Sequence, residues 1–220
     1  MVDTTIYIGS VAIHEPVTAF SDFMITAIGL SFYYKLRKKS ADTVIGNWRV
    51  FFGLLGLSTL LGGCAHAFFE IHEGLSYKIV WLTMQIVNGI AIYFAQQATL
   101  NSVLVNSQFA AKWKTSYILQ LIIFISVLLF VQKYVVTIVE NVIGFIPVML
   151  LHFTFRSEVR HYKKIGYGIL VSFITAIVHG TKFSIHSYFN YNDIAHIFIM
   201  VSLFFMYQGA KEITTSSPLP

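Results

Sequence analysis

Long apolar runs, each close to the length of a bilayer crossing, alternate along this chain with short polar joins. A transmembrane helix needs about 20 mostly apolar residues, and the pattern predicts seven, over residues 15–36, 47–70, 76–98, 115–132, 134–155, 164–188 and 191–210. The joins are too short to hold further domains. The expected class is therefore all-α: one transmembrane bundle over residues 15–211, a short outer segment at 1–14, and a polar tail at 212–220 expected to be disordered in the cytoplasm. The cut between the fourth and fifth helices rests on Gln132, Lys133 and Tyr134, which alone interrupt an apolar stretch from Ile118 to Ile146. Read as one helix, that stretch reduces the count to six.

Charge supports seven, since Lys and Arg collect on the cytoplasmic side of short loops. With seven spans, Lys35, Arg37, Lys38, Lys39, Arg49, Lys112, Lys114, Arg156, Arg160, Lys163, Lys164 and Lys211 share one side. Only Lys78 and Lys133 fall on the other, and Lys182 lies within the sixth helix. The N-terminus is expected outside and the C-terminus inside. Topology thus accounts for the net charge of +5, and nothing calls for a nucleic-acid partner; the basic loops would face anionic lipid headgroups. Composition agrees, with 56% hydrophobic and 11% charged residues and a mean hydropathy of +0.69. The first 14 residues are not basic and precede no small-residue cleavage pattern, so the first helix is expected to direct insertion itself. A single cysteine, Cys64, excludes an intrachain disulfide and any multi-cysteine metal site.

Against this background each polar residue inside a span is costly, about 2.5–3.5 kcal/mol at a helix centre, and is a functional candidate. Glu15, Thr18 and Asp22 share a face of the first helix. His66 lies about one turn inside the end of the second. Gln85 and Asn88 sit near the middle of the third, and Glu140 and Asn141 begin the fifth. His179, Lys182 and His186 share a face at the end of the sixth, and Asn192, Asp193 and His196 open the seventh. These groups occupy the outer or middle thirds of six helices, which predicts a polar cavity toward the outer face. Simpler roles compete: Glu15, Asn192 and Asp193 as helix caps, Glu70, His72 and Glu73 in a solvated loop, and Lys182 reaching to the interface.

Histidines from separate helices beside carboxylates suit zinc, which in catalytic sites takes three protein ligands and keeps one position open. His66 and His196 are the first candidate ligands, and the third is open among His179, Asn192, Asp193 and His186. Asp22 and Asp193 are the candidate catalytic carboxylates. Glu15, Gln85, Asn88, Lys182 and Asn192 are candidate substrate contacts.

The same residues carry a resemblance to the CREST superfamily of seven-span membrane proteins, the alkaline-ceramidase branch in particular. "HEPVTAFSDF" is similar to the first-span pattern aEFxNTxSN of that branch, with Glu15, Thr18, Ser21 and Asp22 at matching places. "LGLSTLLGGCAHAFF" resembles the glycine-rich second span and keeps its histidine as His66, with Gly62 in place of the family serine. "NDIAH" keeps the second histidine of a last-span HxxxH as His196, with Asn192 in place of the first. The third span offers Gln85 and Asn88 and no match for the family aspartate. The resemblance implies a zinc-dependent hydrolase of a lipid amide or ester in a multi-pass membrane protein. It carries over only His66 and His196 as ligands. The alternative is a degenerate, receptor-like protein of the same fold that binds a lipid or small ligand without cleaving it. An ion-coupled transporter ranks lower, because the inner halves lack a polar path and no inverted repeat is visible. A retinal photoreceptor ranks lower still, because Lys211 lies at the end of the last span.

Overall fold

The computed structural model describes residues 4–39, 41–69, 74–103, 108–154 and 160–213. These residues form seven α-helices: α1 (Pro16–Leu36), α2 (Thr43–Phe68), α3 (Gly74–Val103), α4 (Gln108–Val131), α5 (Tyr134–Thr154), α6 (Arg160–Thr181) and α7 (Tyr191–Ala210). A short antiparallel hairpin of β1 (Ile6–Ile8) and β2 (Val11–Ile13) precedes α1. Six helices, α2 to α7, are long and apolar enough to cross a membrane. At 21 residues α1 matches them in length, but Asp22, Lys35 and the hydroxyls of Thr18, Ser21 and Thr26 dilute its apolar character. Glu70, His72, Glu73, Arg156 and the segment 214–220 lie outside the described residues.

Most boundaries follow local chemistry. The α2 helix begins at Thr43, earlier than the hydrophobic run suggests, because the Asp42 side chain accepts from the backbone N–H groups of Val44 and Ile45. The α4–α5 cut falls at Gln132, whose positive φ of 53° reverses the chain. The α7 helix starts with a capping box in which the Asn190 side chain accepts from the backbone and Asp193 accepts from the Asn190 N–H. The sixth helix departs from the sequence reading. It ends at Thr181, seven residues early, and Lys182 follows it with a positive φ of 50°. Lys182 and His186 are exposed on the connection to α7, so the helix face expected to join them to His179 does not exist.

Small residues allow close helix approach. A Cβ on Gly29 of α1 would stand 2.8 Å from the Phe52 carbonyl oxygen of α2, and one on Gly209 of α7 would stand 2.6 Å from the His161 carbonyl oxygen of α6. Between these pairs lies a core that includes Trp48, Phe51, Phe52, Ile92, Ile165, Ile169 and Leu203. The α4 helix is peripheral, with Ile122, Ile123 and Phe130 exposed. A polar chain attaches it to the bundle: Gln96 of α3 donates to Gln120 of α4 at 3.1 Å, and Gln120 donates to the buried Glu140 of α5 at 3.0 Å.

Candidate functional site

The starts of α1, α3, α5 and α7 and the ends of α2 and α6 meet around the mouth of one cavity, of about 340 Å³. Glu15, Asp22, His66, His179, Asn192 and His196 line its polar end, and Phe51, Ile92, Phe145, Leu203 and Met206 line its depth. Phe51 and His66 stand about 22 Å apart along α2 at about 1.5 Å rise per residue. The cavity is therefore long and narrow, polar at one end and apolar at the other.

The polar end is assembled on α1. The chain entering that helix is tied to the end of α2 by two backbone bonds, His14 N–H to the Ala67 carbonyl and Glu15 N–H to the His66 carbonyl. This pairing carries the Glu15 carboxylate to His66, where Oε2 lies 2.5 Å from Nδ1. Glu15 stands at the N-cap position of α1, yet its side chain makes no cap bond there. A carboxylate on Nδ1 places the proton on that nitrogen and the ring lone pair on Nε2, the form that ligates metals.

His196 is oriented in a similar way. Its Nδ1 lies 2.6 Å from Ser21 Oγ, and Ser21 donates its only proton to the Thr18 carbonyl at 2.9 Å. With the Ser21 proton on the Thr18 carbonyl, the imidazole donates to Ser21 from Nδ1 and carries its lone pair on Nε2. That nitrogen faces Asp22 Oδ1 at 3.5 Å. Two acceptors held face to face need a proton or a cation between them. Two donors at about 2.1 Å from one tetrahedral zinc ion would themselves be about 3.4 Å apart, so the His196–Asp22 spacing fits adjacent zinc ligands. Gly62, one turn before His66, lies against Asp22: a Cβ there would come 3.0 Å from Asp22 Oδ2. His66 is within electrostatic reach of both Asp22 and Asp193. Among the described residues, no three His, Cys, Asp or Glu form a closed metal group.

The other expected residues divide. Asp193 spends Oδ1 on the Thr18 hydroxyl at 2.9 Å and Oδ2 on the Asn190 N–H at 2.7 Å, which joins α7 to α1 beside the cavity. His179 lies on the cavity wall between Tyr134 and Tyr191, at ring distances of 5.5 and 5.4 Å. Asn88 and Asn192 also line the cavity, whereas Gln85 is fully buried behind it, bonded to Thr137 and the Trp81 carbonyl. Lys182 is away from it.

Several contributors were not among the expected site residues. Ser21 contacts His196; the sequence marked it only as one match in the first-span pattern, with no role attached. Tyr77, Trp81, Tyr134 and Tyr191 wall the mouth; aromatic residues near helix ends read first as a membrane-interface belt. Asn141, expected with Glu140 among the polar residues at the start of the fifth helix but given no role, pairs with Asn88 across α3 and α5.

The chain belongs to DUF6962, a family of unknown function whose family model matches residues 17–215. No curated protein and no solved structure matches it.

Proposed function

We propose that this member of the family is a multi-pass membrane enzyme that hydrolyses an amide or ester bond in a lipid, using a zinc ion held at the polar end of its cavity. The observation that carries this reading is the joining of that cluster to a deeper, mostly apolar end in one cavity that runs about 22 Å from His66 to Phe51. An amphiphile whose reactive bond lies next to its polar head would fit with the bond at the cluster and the chain in the depth.

In this reading α1 crosses the membrane as a seventh span. Its Asp22 is matched by His196 of α7, and the cluster faces the outer side, opposite the basic loops. His66, His196 and Asp22 are the residues that would hold the metal, with Asp22 a ligand where the sequence suggested a base; the 3.5 Å spacing from Asp22 to His196 Nε2 is the reason. The zinc would supply Lewis-acid polarisation of the substrate carbonyl and a lowered pKa for attacking water. The protein contributes orientation: Glu15 and Ser21 fix the tautomers of His66 and His196, and Asp193 with Thr18 locks α7 to α1. His179, which lines the polar end of the cavity, would take the proton that water gives up and return it to the departing amine or alcohol. Water oxygen bonds to the carbonyl carbon as the C–N or C–O bond breaks. The divergent alkaline-ceramidase-like kinship suggested by the sequence supports this chemistry.

A second reading, a lipid-binding protein that cleaves nothing, is favoured by one observation: among the described residues the donors stop short of a closed three-ligand set. Both readings are tested by incubating purified protein in lipid nanodiscs with zinc and a panel of N-acyl amides and acyl esters, then following release of the acid by mass spectrometry. The enzyme reading expects turnover that a chelator abolishes and zinc restores, and that His196→Ala removes. Stable binding of panel members without turnover at any zinc concentration overturns it in favour of the second.

A further inference from the structure

We infer that the cavity is built to read a hydroxyl part-way along the acyl chain of its lipid, through the asparagine pair Asn88 and Asn141; this rests on the lipid reading above. Asn88 of α3 and Asn141 of α5 both line the cavity, and Asn88 Nδ2 donates to Asn141 Oδ1 at 2.7 Å. An amide carries two N–H donors and a carbonyl acceptor. This single bond leaves Asn88 Oδ1 and the NH2 of Asn141 with no protein partner among the described residues. Exchanging oxygen and nitrogen in both amides changes nothing, since one carbonyl and one NH2 still remain.

Most other hydroxyls around this level are bonded within the protein: Thr59 reaches the Leu55 and Gly56 carbonyls and Thr26, while Ser202 has only the Met206 sulfur at 4.0 Å. Ser58 donates to the Met84 carbonyl, Thr137 to Gln85, Ser172 to the Ile169 carbonyl and Thr175 to the Ser172 carbonyl. Their protons are spent, so the asparagine pair is where this wall offers a donor and an acceptor side by side. A hydroxyl satisfies both, donating to Asn88 Oδ1 and accepting from Asn141 Nδ2. A methylene at the same point leaves both amides facing hydrocarbon, and sites built for a hydroxyl discriminate strongly against analogues that lack it.

The depth fixes where the hydroxyl lies. Trp81 packs edge-on against His66 at 5.8 Å, and Asn88 lies two turns further along α3, about 10 Å deeper. At about 1.2 Å per bond of extended chain, this corresponds to roughly the ninth or tenth carbon from the reactive carbonyl.

The test uses wild-type protein in nanodiscs and two probes in equimolar competition, N-octadecanoyl ethanolamine and its analogue hydroxylated on the tenth carbon. Occupancy is read by native mass spectrometry, with bound amide and bound acid product both counted. The expected result is a preference of about 10- to 100-fold for the hydroxylated probe, reduced to within about twofold in Asn88→Ala/Asn141→Ala. Equal occupancy in the wild type overturns the hydroxyl inference and leaves the lipid reading standing. Failure of both probes to bind overturns the two together. A preference that survives the double substitution removes the assignment to these asparagines. If the pair merely locked α3 to α5, its loss would lower stability, but the wild type would show no preference between probes.

Discussion

Position 62 shows how one residue depends on another across two helices. A side chain there would press on Asp22 Oδ2 at 3.0 Å and on Met84 Sδ at 3.2 Å, so an aspartate at 22 and a glycine at 62 form a matched pair. Gly62→Ser alone should therefore lower stability by about 1–3 kcal/mol through overpacking. Adding Asp22→Ala, which removes the carboxylate that the new side chain presses on, should recover part of that loss, with a coupling of about 1 kcal/mol in a thermal-melting cycle. Strictly additive losses would contradict the pairing. His66, His196 and Asp22 were legible as single residues because charge inside an apolar span is costly. The roles of Glu15 and Ser21 were not, because orienting an imidazole requires a contact between helices that no local pattern encodes. Glu15, just before Pro16, carries the local signature of a helix cap, and only the backbone pairing of His14 and Glu15 with the end of α2 carries its carboxylate elsewhere.

At the scale of elements, the hydrophobic pattern located every helix because each run is long and its breaks are polar. It misplaced the end of α6, where "HGTKFSIH" keeps a helical spacing of polar residues past Thr181. The chain instead turns at Lys182 and closes a small antiparallel bridge between His186 and Phe189. Periodicity gives no stop signal there; the only local hint is Gly180. The crossing of α1 and α2 matters most for the site, since it sets Glu15 against His66 and Asp22 against Gly62. Gly29 lies at that crossing, and a Cβ would meet the rigid carbonyl of Phe52 at 2.8 Å, with no flexible side chain able to yield. Gly29→Val should destabilise the protein by at least about 1–3 kcal/mol and weaken zinc binding in parallel, as read by melting temperature and metal titration. A variant of wild-type stability would show that the two helices are held apart by something else.

At the scale of the whole molecule, alternating helices gather the polar groups at one end and most of the cations at the other, and the proposed orientation puts the polar end outside. With Cys64 replaced by alanine, Ser10→Cys should react with a membrane-impermeant maleimide on intact cells, and Lys114→Cys only after permeabilisation. Labelling of both from one side would refute that topology, and with it the crossing of α1. Whether the polar end of the cavity is a metal site is decided by the zinc content of purified protein, read by elemental mass spectrometry with His66→Ala and His196→Ala alongside. About one zinc per wild-type chain is expected, and loss of it in both variants. Well-folded wild-type protein that takes up no zinc would contradict the metal site.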